Sequence, residues 1–230
     1  MLYVLMIGMI PAIALIVYIY HLDSVEREPV GLIMKLFFLG GISTVIASLL
    51  EELGEFIIQA IPGLSSTIWY QVIEYFVVVA VAEEGVKHLM LRRTTWYDPN
   101  FNFRFDDIVY SISVSLGFAA FENVLYILNF GLGVAPIRAI TAIPMHCITG
   151  IFMGHYYGQA KYAEYYHAWG RENFYWVLSM LVPVLLHGFY DFAASSEDEL
   201  LCTLFLIYVV ILDIVALLSV RRYAREDTPV

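Results

Sequence analysis

Glu83-Glu84-Gly85-Val86-Lys87 sets two adjacent carboxylates and an ammonium inside a stretch, residues 66–91, that otherwise reads as an apolar membrane-crossing helix. An ionised side chain near the centre of a bilayer costs roughly 2.5 to 17 kcal/mol according to how it is measured, so such groups persist where they are paired, hydrated or used. Adjacent carboxylates beside a lysine can divide roles: the cation holds one as an acceptor, and the other takes a proton from water. A salt bridge within one helix that merely carries the charges through the membrane is the structural alternative. The pentad alone leaves both open.

The other ionisable residues at membrane depth are Glu74, His88, Glu122, His146, His187, Asp191 and Asp213. At 1.5 Å rise per residue, Glu83 and His146 lie roughly 24 Å and 15 Å from the outer ends of their helices, and Glu122 and His187 roughly 20 Å from their inner ends. All four reach a similar depth. Residues four apart share a helix face, so Glu83 with Lys87, Glu122 with Tyr126, His146 with Gly150, and His187 with Asp191 each form a polar stripe that must face protein or water. In the His187-x-x-x-Asp191 pair the carboxylate can fix the imidazole tautomer, leaving the other ring nitrogen for a substrate oxygen or a metal. Glu122 reads as a metal ligand, a supporting acid or a helix clamp. Gly150 and Gly154 extend the His146 face and permit close approach of a helix or a substrate backbone. Glu74 falls about half a turn from Glu83 and faces elsewhere, and Asp213 stands alone in the last apolar stretch.

These residues need helices to carry them through a membrane. The chain has 230 residues, of which 60% are hydrophobic and only 15% charged, with a mean hydropathy of +0.74. Seven stretches, near 2–20, 31–50, 66–91, 107–130, 136–158, 174–194 and 200–220, match the roughly 20 residues needed to cross a bilayer. An all-α, multi-pass membrane bundle of about seven helices is expected, integral to the cell membrane, with residues 1–230 forming one domain. The first stretch lacks a positive leading region and a small-residue cleavage site, and reads as a retained anchor. If the spans alternate, Arg27, Lys35, Arg92, Arg93, Arg104, Lys161, Arg171, Arg221, Arg222 and Arg225 share one side and Arg138 alone takes the other. The positive-inside rule then puts the N-terminus outside and the C-terminus in the cytoplasm. Glu51, Glu52 and Glu55 are expected in an acidic outer connection. The formal charge of −10 argues against a nucleic-acid partner, which needs a basic face. Cys147 and Cys202 have no disulfide or zinc-finger spacing.

Glu83-Glu84-x-x-Lys87, Phe121-Glu122-x-x-x-Tyr126, His146-x-x-x-Gly150 and His187-x-x-x-Asp191, in that order on successive helices, resemble the PrsW family of intramembrane proteases, related to the type II CAAX prenyl endopeptidases. The likeness extends to Tyr20 through Asp23 to Glu28-Pro29 and to Phe105-Asp106-Asp107-Ile108-Val109-Tyr110, and so covers nearly the whole chain. It implies a protease that cuts a membrane-anchored protein, in the best-known members a single-pass anti-sigma factor clipped on its outer side as the first step of an envelope stress response. By the same resemblance Glu83 and Glu84 are the catalytic pair, and His187 the last catalytic histidine with Asp191 as its partner. One departure separates the chain from the prenyl endopeptidases: their Phe-x-x-x-His motif would require histidine at Leu125. Here His146 comes instead from the next helix.

The expected chemistry is attack of water on a peptide bond, with one glutamate as general base and His187, together with His146, stabilising the oxyanion, and with Glu122 as a further member of the site. Lys87, Tyr126, Asp191 and Gly150 support it. His146, His187 and Glu83 would also suit catalytic zinc, although the absence of a His-Glu-x-x-His signature means the sequence does not demand a metal. The alternative is a proton- or ion-coupled transporter that uses the same buried Glu and His residues.

Overall fold

The computed structural model describes residues 2–23 and 25–228, and their architecture is all-α. Helices α1 (Leu2–Leu22), α2 (Val30–Gln59), α5 (Asp106–Phe130), α8 (Trp169–Ala194) and α9 (Glu199–Arg225) are each long and apolar enough to cross a membrane, as is the run Leu132–Tyr165. That run holds the short α6 (Ala135–Ile140) and the long α7 (Ala142–Tyr165). The remaining crossing is the one bearing the pentad. It runs helical over 68–95 as α3 (Ile68–Ile73), a π-helical turn (Glu74–Val79) and α4 (Ala80–Thr95).

Cross-links between helix ends fix the alternation. Lys161 at the end of α7 donates to the Trp96 carbonyl just beyond α4 at 2.9 Å. Arg221 near the end of α9 reaches the Tyr18 hydroxyl near the end of α1 at 3.0 Å, and Phe105 N–H at the start of α5 reaches Asp227 at 2.9 Å. The C-terminal ends of α1, α4, α7 and α9 therefore gather with the start of α5 at one end of the bundle, which carries most of the arginines. Seven passes alternate between that basic end and the opposite one.

Helix α5 is the centre, with Tyr110, Leu116 and Phe118 almost wholly buried. Apolar stripes alone do not drive helices together in lipid, so close backbone approach must contribute. Glycines provide it: a Cβ at Gly40 in α2 would run into the Val114 carbonyl of α5, and one at Gly117 into the Phe37 carbonyl of α2. The Thr44 hydroxyl adds a 3.3 Å bond to the Phe118 carbonyl across the same seam. On the other side of α5, Gly150, Gly154 and Gly158 of α7 lie against Ile112, Ile108 and Asp107. Outward-facing Ile207, Val210, Ile214 and Leu218 of α9 form an apolar surface of the kind that lipid covers.

One expectation fails here. Glu51, Glu52 and Glu55 do not lie in a connection, because α2 continues to Gln59 for 30 residues, about 45 Å at the helical rise and longer than the hydrocarbon core.

Candidate active site

The π-helical turn ends at Val79, about one helical turn before the pentad. An ordinary helix rotates about 40° beyond a full turn every four residues, whereas a turn widened by one residue cancels much of that drift. Tyr75, Val79 and Glu83 are accordingly all brought to the wall of one cavity of about 400 Å³. Glu122 and Tyr126 of α5, His146 of α7, and His187 and Asp191 of α8 line it too. Glu84 and Lys87 lie beneath, both wholly buried. The cavity extends past Ser48, Asn129 and Phe130 toward the end of the bundle opposite the basic one.

Lys87 is the hub of the floor. Its ammonium donates to Glu83 Oε2 and Glu84 Oε1, each at 2.9 Å, and lies 3.1 Å from His146 Nδ1. Phe118 covers it, with Nζ 3.9 Å from the ring centroid. An ammonium has only donors, so His146 Nδ1 must accept, and the ring proton sits on Nε2. That Nε2–H donates to Glu122 Oε2 at 3.0 Å. Glu122 Oε2 also receives Arg138 at 2.6 Å, and Arg138 Nε reaches Asn123 Oδ1 at 3.1 Å. The guanidinium lies over the Tyr126 ring, 3.6 Å from its centroid. A hydrogen-bonded chain thus runs from the Lys87 ammonium through the neutral His146 ring and the Glu122 carboxylate to the Arg138 guanidinium.

His187 completes the other wall. Nδ1 contacts Glu84 Oε1 at 2.8 Å, while Nε2 lies 3.2 Å from Asp191 Oδ2 and 3.8 Å from Glu83 Oε2. The His146 and His187 rings meet edge to face at 5.2 Å between centroids. Glu83, Glu84, His146 and His187 each offer a ligand atom within 4.8 Å of the others. Two imidazoles and two carboxylates are the donor chemistry of catalytic zinc. Glu84 Oε2 is buried with no partner among the described residues, an acceptor left open to a cation. The residues fit such a group, although Lys87 already engages three of the four donors.

Glu83, Glu84, Lys87, Glu122, His146, His187 and Asp191 therefore meet, and Tyr126 lines the same cavity. Gly150 does not: a Cβ there would press on Ser115 and Ile112 of α5, so its role is helix packing. Glu74 and Asp213 are likewise absent from the cavity wall, in line with their expected separation. Two charged wall residues were missed. Arg138 stood out in the sequence only as the lone basic residue of its side. Glu51 continues the polar stripe Thr44, Ser48, Glu51 along α2, whose i, i+4, i+7 spacing was the available signal.

A family model described as PrsW family intramembrane metalloprotease matches residues 28–218. Among curated relatives, Protease PrsW of Oceanobacillus iheyensis is 37% identical over 232 residues, covering 99% of each chain. Protease PrsW of Clostridioides difficile is 32% identical, covering 98% of this chain and 93% of that one. Protease PrsW of Bacillus subtilis is 33% identical over 190 residues, 82% of this chain and 81% of that one. No solved structure matches.

Proposed function

The chain belongs to the PrsW family of intramembrane proteases, and from that premise we propose that Glu83 is the general base of a peptide-bond hydrolysis carried out in the cavity above Lys87. What supports Glu83 over its neighbour is access: Glu83 lines the cavity, whereas Glu84 lies beneath the wall. Family membership sets the transporter alternative aside as the reading of these buried groups.

In the proposed reaction a water in the cavity attacks the scissile carbonyl carbon and gives a proton to Glu83. His187 Nε2–H, which in the resting site points to Asp191 Oδ2, faces the same space and turns its hydrogen bond to the developing oxyanion. Collapse breaks the C–N bond, and Glu83 returns the proton to the leaving amine. Glu84 and Asp191 hold the His187 ring from its two nitrogens. Lys87 keeps Glu83 and Glu84 from repelling each other, and the Arg138–Glu122 pair fixes His146. A zinc ion bound by His146, His187 and Glu83 would instead take Glu83 as a ligand in place of its role as base, and would supply Lewis-acid polarisation and a bound water with a pKa of about 7.

The substrate is a membrane-anchored protein, and on the family resemblance a single-pass anti-sigma factor cut in the first step of an envelope stress response. The cavity opens away from the arginine-rich end, which the positive-inside rule assigns to the cytoplasm. Cleavage then falls toward the outer side, with the C-terminus cytoplasmic. Reconstitution of the purified protein with a single-pass substrate provides the test. Fragments should appear with the native chain and not with Glu83→Gln, and equal cleavage by both would overturn the assignment.

A further inference from the structure

At the basic end of the bundle a second set of carboxylates converges, about which the proteolytic reading says nothing. Asp23 follows α1 directly and opens the connection to α2, Glu28 lies near the end of that connection, and Asp106 opens α5; they are 1%, 3% and 0% exposed. Each offers an oxygen within 4.8 Å of the others. Asp106 Oδ2 is occupied by the backbone N–H groups of Asn102 and Phe103, at 3.0 and 2.7 Å. Glu28 Oε2 accepts from the Tyr110 hydroxyl. Asp106 Oδ1 and both oxygens of Asp23 are buried without a partner among the described residues. The Glu28 backbone N–H lies beside Asp23 without completing a hydrogen bond. Arg27 is near enough to act on Asp23 through space, yet no salt bridge joins any described basic side chain to the three carboxylates.

Buried carboxylates without a counter-charge are expensive, and the expense is removed by neutralising or coordinating them. Burial, with the Asp227 carboxylate close by, pushes Asp23 up to about 6, and burial raises Glu28 as well. A proton shared between Glu28 and Asp106 would relieve one charge and leave Asp23 with two open acceptors. The donors are all oxygen, with neither imidazole nor thiolate, which selects hard cations over zinc.

The geometry points to a second ligand site, in which Asp23, Glu28 and Asp106 hold a hard divalent cation, magnesium or calcium, through one carboxylate oxygen each. Such an ion clamps the connection between α1 and α2 to the start of α5. The C-terminal segment closes over the same region, with Asp227 on Phe105 N–H and the Thr228 carbonyl on Arg104 N–H.

The test uses the full-length protein in detergent after treatment with chelator, titrated separately with magnesium and calcium while heat of binding and thermal unfolding are followed. The native chain should bind one of these ions and unfold at higher temperature. Asp23→Asn and Glu28→Gln, which each remove a buried charge, should fold without the ion and bind it at least tenfold more weakly. Glu83→Gln, altered in the other cluster, should respond as the native chain does. Absence of binding by both ions, or an equal response from native chain and Asp23→Asn, would overturn the proposal and leave the shared proton as the account of the cluster. Neither result bears on the protease assignment, which is read from cleavage.

Discussion

Two clusters of buried carboxylates stand among the described residues, and they solve the same electrostatic problem in opposite ways. Around Lys87 the fold provides its own cation, fully buried and bonded to both glutamates, with a second cation, Arg138, on the far side of Glu122. Around Asp23 no basic side chain among the described residues closes an ion pair, and three acceptor oxygens have no partner among them. An internal cation fixes carboxylate positions permanently, which suits a group that must meet a water in one orientation. A cluster without one is adjustable: it can be held by something that comes and goes. On the two proposals above, the contrast separates a site for chemistry from a site for a ligand.

The largest effect expected is on the chemistry itself. Glu83→Gln keeps the shape of the cavity wall but removes the base, and should lower cleavage by about 10²–10⁴-fold. Glu84→Gln should be less severe because its carboxylate only orients His187 and Lys87, and equal losses would erase the distinction between exposed and buried glutamate. Removing the cation attacks the same cluster from the other side. Lys87→Met strands two buried carboxylates and should destabilise the protein by about 3–5 kcal/mol, seen as a lower unfolding midpoint in denaturant. Replacing the whole set, Glu83→Gln with Glu84→Gln and Lys87→Met, should recover much of that loss while cleavage stays absent. Failure to recover would mean that the ion pairs themselves hold the helices together.

The sequence made much of the Lys87 cluster legible because cost marks it: charged residues in apolar stretches are few, and their four-residue spacing fixed which of them share a face. Six crossings followed from apolar length, whereas the helix that bears the pentad is placed by its helix-end contacts rather than by apolarity. Three features lay beyond that logic. The π-helical turn at Glu74–Val79 arises in the packing of α3 and α4 against their neighbours and has no composition of its own. The extension of α2 to Gln59 was hidden because Glu51, Glu52 and Glu55 have the composition of a loop. Gly150 shared a face with His146 on paper, but that face is wide enough for His146 to reach the cavity while Gly150 meets α5. The Asp23 cluster was harder still, since its members come from the α1–α2 connection and the distant start of α5, which only folding brings together.

Arg138 tests how far the hydrogen-bonded chain reaches. It touches Glu122 and Asn123, and Glu122 in turn receives the His146 proton. Arg138→Met should lower kcat by about 10–100-fold, as loss of a supporting partner does, with KM for the membrane substrate little changed. A rise in KM at constant kcat would instead make Arg138 a substrate-binding residue at the mouth of the cavity.

The smallest effect is the most telling about the contrast, because its sign reverses. Lys87→Met removes a charge and destabilises; Asp23→Asn also removes a charge, but from a cluster with no ion pair to lose. In chelator it should therefore raise the unfolding temperature, by on the order of 2 °C. In saturating magnesium or calcium the native chain should overtake the variant, since only the native site gains from the ion. Thermal melts of both proteins with and without cation give four numbers, and the crossing of the two pairs is the expected outcome. Parallel shifts would make Asp23 an ordinary buried carboxyl. A fall in chelator would mean that its oxygens already have a partner inside the protein, and that the two clusters are balanced by the same means.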